Sequence, residues 1–116
     1  MLAYYKNIEN ALQKLDSPQP NCWINMVDPT AEEINELTSL GIPHDLITYS
    51  LDQDERPHSQ KEDDGTLFIL MRIPFFQGVN FDIPYITIPL GIILTEDKVI
   101  TICRRESEIL QEFSSG

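Results

Sequence analysis

GIPHDLITYSLDQDERPHSQKEDDGTL, running from Gly41 to Leu67, is the stretch on which the reading of this fold turns. It moves from a short helix through a knot of acids and an Arg56-Pro57 pair into a strand, so the chain changes there from helical to β periodicity. Six carboxylates (Asp52, Asp54, Glu55, Glu62, Asp63 and Asp64) fall within thirteen residues. Like charge at that density requires screening by water, basic partners or cations.

Upstream, Asp28-Pro29-Thr30 opens a helix: Thr30 is a capping residue, Glu33 completes a capping box, and acids fill the first turn. Ile34, Leu37 and Leu40 form its predicted buried stripe, and Gly41 supplies a left-handed stop with Ile42 folding back. Pro43 starts a second helix to about Leu51, with Leu46 and Ile47 inward. Before these helices, Leu2 to Tyr5 reads as a short strand, and Ile8, Leu12 and Leu15 follow helical spacing. Cys22 to Val27 is a short β run.

Downstream the chain reads as sheet. Thr66 to Ile73 is an apolar strand that Pro74 is expected to end, after a turn at Asp63-Asp64-Gly65. Pro84 to Leu94 is a long strand in which Pro89 marks a bend, a bulge or an edge. It pairs as a hairpin with Lys98 to Cys103. Arg104 to Phe113 reads as a closing helix. The pattern predicts one α+β domain over residues 1–116, layered in the α/β/α manner, with helices on a mixed, largely antiparallel sheet.

Composition narrows the function. A net charge of −11 with eight scattered basic residues argues against nucleic acid and anionic membrane surfaces. Partners are expected to be divalent cations, basic surfaces or other copies of the chain. The start lacks a signal-peptide pattern, and the apolar run from Ile83 to Leu94 is shorter than a bilayer span and broken by Pro84 and Pro89, so the chain reads as soluble and cytosolic. Cys22 and Cys103 read as buried free thiols. There is no G-x-S-x-G, G-x-G-x-x-G or G-x-x-x-x-G-K pattern, His44 and His58 form no metal pair by spacing, and no enzyme is indicated. Arg56 reads as a clasp that pairs with its acidic neighbours. The acids themselves suit a hard cation such as Mg²⁺, which takes oxygen ligands and keeps several waters, although charge runs are commonly solvated turns.

Trp23-Ile24-Asn25, Pro29-Thr30, Gly41-Ile42-Pro43 and Leu51-Asp52-x-Asp54-Glu55-Arg56-Pro57 occur in an order that resembles the N-terminal cytoplasmic domain of the CorA family of magnesium transporters. Leu67 to Pro74, Ile88 to Leu94 and Val99 to Cys103 extend the resemblance over the whole chain. It implies a funnel-type domain of a homopentameric membrane transporter for Mg²⁺ or Co²⁺. On that resemblance the domain is expected to sense cytosolic Mg²⁺ and to control pore opening from the cytoplasmic side of the membrane. The family's transmembrane region and its Gly-Met-Asn signature are absent from this sequence. The positions where well-known members carry a Glu-Asp pair facing an inter-subunit Mg²⁺ align with Thr48 and Tyr49, so any regulatory metal role here is expected to fall on Asp52 and Asp54. The alternative is a stand-alone acidic intracellular module that docks a basic protein. A downstream helical region leading to Gly-Met-Asn between two apolar segments separates the two readings.

Overall fold

The computed structural model describes residues 1–80 and 82–105. Among these residues one seven-stranded sheet carries two helices on one face. In chain order the elements are β1 (Leu2–Ile8), β2 (Ala11–Leu15), β3 (Cys22–Val27), α1 (Ala31–Ser39), α2 (His44–Leu51), β4 (His58–Lys61), β5 (Leu67–Phe76), β6 (Tyr85–Leu94) and β7 (Lys98–Cys103). The spatial order is β2-β1-β3-β7-β6-β5-β4. The β3–β7 pair is parallel, with Cys22 opposite Lys98 and Val27 opposite Cys103; the other pairings are antiparallel. The expected α+β architecture with a mixed, largely antiparallel sheet is therefore the observed one. The predicted helix from Arg104 to Phe113 lies, after Arg105, outside the described residues.

The helix expected over Ile8 to Leu15 is instead a β-hairpin. Glu9 and Asn10 both take positive φ (54° and 65°), the conformation of a two-residue primed turn whose twist matches the flanking strands. The register Tyr4↔Leu15 to Ile8↔Ala11 follows. Leu15 thereby joins Leu2 and Tyr4 against the main core. Helical spacing of three apolar residues is compatible with either element, and the pairing of Ala11–Leu15 with β1 decides for the strand.

The helical layer forms as its local signals dictate. The Thr30 hydroxyl accepts from the Glu33 amide (3.2 Å), and the Glu33 carboxylate accepts from the Thr30 amide (3.0 Å). Gly41 takes φ 93° and ends the first helix, and Ile42 returns to the core. The predicted stripe of α1 is narrower than expected: Leu37 is fully buried, Ile34 is half-buried, and Leu40, the C-cap, is 41% exposed. From α2, Leu46 and Ile47 meet Ile24, Met26, Phe68, Leu70, Ile93, Ile100 and Ile102 of the sheet. Burial of each such side chain contributes about 1.5–3 kcal/mol.

Strand β5 runs through Pro74 to Phe76, where the sequence predicted an end at Ile73. Backbone hydrogen bonding explains how it accommodates proline. Pro89 is opposite Arg72, and its carbonyl accepts from the Cys103 thiol (3.6 Å), so its backbone faces β7, whose ladder ends at Leu90↔Cys103. Arg72↔Pro89 and Pro74↔Thr87 are thus non-hydrogen-bonded pairs of the β5–β6 ladder, and the missing N–H groups point where no strand needs them. Pro89 holds an edge-like position in an inner strand, one of the three placements its sequence context allowed.

On the opposite face, a polar chain crosses the sheet. Trp23 Nε1 donates to Thr101 Oγ1 (2.8 Å), which donates to Asn25 Oδ1 (2.9 Å). Cys22 and Cys103 are buried free thiols at opposite ends of the β3–β7 pair, and burial pushes the Cys103 thiol pKa up.

Candidate functional site

The six carboxylates that crowd together in sequence separate in space into two groups. Asp52, Asp54 and Glu55 lie on the α2–β4 connector, whereas Glu62, Asp63 and Asp64 lie in the β4–β5 turn. The four residues of β4 stand between them, a length of about 13 Å. The turn has a local explanation. Asp64 accepts from the Thr66 amide (2.9 Å), which holds its carboxyl below the usual range, and Gly65 supplies φ 93°.

The connector is the more constrained of the two. Asp52 caps α2 in an extended conformation, and its amide reaches the Tyr49 carbonyl (3.3 Å). One Asp52 carboxylate oxygen accepts from the Asp54 amide (2.9 Å), and Glu55 N donates to Asp52 O (3.1 Å), which folds the connector into a tight turn. Both aspartates are exposed. The carboxylate of Asp54 has no hydrogen bond or ion pair among the described residues.

Arg72 of β5, which the sequence reading passed over, performs the clasping role expected of Arg56. Its guanidinium donates to Gln53 O (2.9 Å), Glu55 O (3.3 Å), Thr87 Oγ1 (2.9 Å) and Thr87 O (2.8 Å). Gln53 Nε2 adds a further bond to Thr87 O (2.8 Å). The planar fork of arginine suits this spread of acceptors. Arg56 is exposed and forms no ion pair among the described residues. The available signal was a lone cation inside an otherwise apolar strand. Its partners are backbone carbonyls, which composition does not reveal.

His58 anchors the far end of the connector. Its ring stands edge-on to Phe68 and Tyr49 (centroids 5.6 and 6.0 Å), Nδ1 meets Arg56 O (2.8 Å), and Glu55 lies 3.9 Å away. His44 is exposed at the start of α2. Thr48 is exposed and its hydroxyl donates to Asp45 O (2.9 Å), while Tyr49 is half-buried, so these two positions present no carboxylate. No group of three or more potential metal ligands converges among the described residues.

A family model described as "CorA-like Mg2+ transporter protein" matches residues 18–115. The chain belongs to the CorA family. The fold agrees with solved structures of related proteins. The soluble domain of CorA from Methanocaldococcus jannaschii superposes with a TM-score of 0.81 at 23% identity, over 99% of this chain and 45% of that one. The complete CorA magnesium transporter from the same organism gives 0.79 at 22% identity, over 99% and 36%. The ZntB cytoplasmic domain from Vibrio parahaemolyticus gives 0.77 at 15% identity, over 97% and 47%. The chain thus spans less than half the length of these structures. A comparison with curated proteins returned no match. No helix among the described residues is long and apolar enough to cross a membrane.

Proposed function

We propose that this CorA-family chain is the N-terminal cytoplasmic regulatory domain of a longer divalent-cation channel, for Mg²⁺ or Co²⁺. Its connector carboxylates Asp52 and Asp54 would sense cytosolic Mg²⁺ at a boundary between copies in a homo-oligomer, a pentamer on the family resemblance. The observation that carries this reading is the family match across residues 18–115 on a chain whose fold follows a CorA soluble domain throughout. The connector supports it in physical terms. Two exposed carboxylates sit on a backbone fixed by Arg72, and two oxygen donors leave most of a cation's shell to water and to a neighbouring copy. A cation held only when two copies are correctly placed stabilises that arrangement by its differential affinity, which shifts the population toward a closed pore.

Calorimetric titration of Mg²⁺ into the wild type and the Asp52→Asn, Asp54→Asn double variant tests the site. A weak, saturable heat that the double variant loses is the expected result. Identical titrations for the two proteins would remove Asp52 and Asp54 as Mg²⁺ ligands of the isolated chain, though not of an assembled homo-oligomer, and would leave family membership intact.

A further inference from the structure

Beyond Leu70 the β4 ladder stops, and beyond Leu90 the β7 ladder stops, yet β5 and β6 continue as a pair out to Phe76↔Tyr85. The resulting two-stranded arm is about 20 Å long. At its root, Thr87 belongs to a non-hydrogen-bonded pair, so its carbonyl points away from β5, toward a side where no strand lies among the described residues. Water could satisfy a carbonyl left open there, but two side chains take it instead: Arg72 Nη2 (2.8 Å) and Gln53 Nε2 (2.8 Å). Gln53 stands between Asp52 and Asp54, and its own carbonyl accepts from Arg72 Nη1 (2.9 Å). Its side chain and its backbone are thus both tied to the root of the arm.

We propose that Gln53 is a positioning residue that makes the Asp52–Asp54 pair and the β5–β6 arm one cooperative unit, so that a change in either is transmitted to the other. On the connector side, the Asp52 carboxylate holds the Asp54 amide and Asp52 O holds the Glu55 amide, so the two acids turn with Gln53 as a piece. On the arm side, neither β4 nor β7 restrains the paired strands, and the bonds at Thr87 supply at the root what a third strand supplies elsewhere in the sheet. An arm that opens at Thr87 takes from the connector the Gln53 bond and displaces the Arg72 fork. A connector that opens returns Thr87 O to water and leaves the arm to its own ladder. Such a coupling is reciprocal by necessity. A cation drawn to Asp52 and Asp54 would thereby bias a segment that reaches well out from the sheet. That regulatory use rests on the cation-sensing reading, whereas the coupling itself holds without a metal.

Native-state amide hydrogen exchange on the 116-residue chain, in chelator, tests the coupling. Gln53→Met keeps the length of the side chain and removes its donor. It is expected to speed exchange of the arm amides of Phe75, Gln77 and Ile86 by about threefold or more, the effect of losing one hydrogen bond, with Ile24 and Ile100 at the sheet centre unchanged. Tyr85→Ala removes the ring packed on Phe76 (centroids 5.0 Å apart) and should speed exchange of the Asp54 and Glu55 amides by a similar factor. Three results would overturn the proposal: arm amides unmoved by Gln53→Met, connector amides unmoved by Tyr85→Ala, or Ile24 and Ile100 accelerating as much as the arm, which is global loosening. The absence of metal keeps this test apart from the sensing reading. Unchanged exchange leaves Asp52 and Asp54 as candidate ligands, and a flat Mg²⁺ titration leaves the coupling standing.

Discussion

Ser50 of α2 lies directly over Gly91 of β6: a Cβ added to Gly91 would overlap the Ser50 hydroxyl oxygen and stand 2.5 Å from the Ser50 Cβ. The Ser50 hydroxyl turns back to donate to Leu46 O (2.7 Å), so a small polar residue is fully buried without an unmet hydrogen bond. The pair sets how closely α2 approaches the sheet.

Gly91→Ala is expected to lower unfolding free energy by about 1–3 kcal/mol, as overpacking in a filled core does. The loss should appear as a lower urea midpoint with an unchanged slope. Adding Ser50→Gly should recover part of it by removing the atoms the new methyl meets. A Gly91→Ala variant as stable as the wild type would show that α2 is free to shift outward.

Arg72→Ala should cost about 1–3 kcal/mol, because carbonyls of Gln53, Glu55 and Thr87 lose a charged donor. Amide hydrogen exchange over residues 52–57 should accelerate while the core strands stay protected. Arg72→Lys should recover little of this, since a single ammonium does not span the same acceptors.

The pH response of the first helix should follow Glu33. Its carboxyl is held below the usual range, chiefly by the Thr30 amide and then by the Met1 ammonium beside it (3.2 Å). A carboxyl whose folded pKa is depressed contributes stability that is present above its unfolded pKa and is lost as pH falls through the folded value. The gap in melting temperature between wild type and Glu33→Gln should therefore be widest near neutrality and close as pH drops below the ordinary glutamate range.

Thr101→Val keeps the shape of the β7 position but removes the link between Trp23 and Asn25. It should cost about 1–3 kcal/mol by leaving polar groups of both unpaired, read by chemical denaturation. Trp23 fluorescence should shift as its indole N–H loses its partner.

How far these features were legible varies with how local they are. The Thr30–Glu33 box, the Gly41 stop, β3 and the β6–β7 hairpin each carry their cause within a few residues, and each stands where the sequence indicated. The β1–β2 hairpin was hidden because Glu9 seldom takes positive φ and because Ile8, Leu12 and Leu15 satisfy helical spacing. Pro74 reads as a terminator until the neighbouring ladder shows that its N–H is not needed. At the candidate site, the acidic connector was visible, but its division from the Glu62–Asp64 turn required the placement of β4. Arg72 was illegible as a clasp because backbone carbonyls receive it, and the tertiary fold supplies those.

The parallel pairing of β3 with β7 also sets an order of events. Residues 22–27 acquire their inner neighbour only when residues 98–103 arrive, so the sheet stays split into two halves until nearly the whole described chain is available. On a ribosome, β1, β2, β3 and both helices would emerge long before that closure, with the β3 edge unpaired. Folding should therefore be slow relative to a chain of local hairpins, and its late step should be the docking of the β5–β6–β7 meander onto a waiting half-sheet.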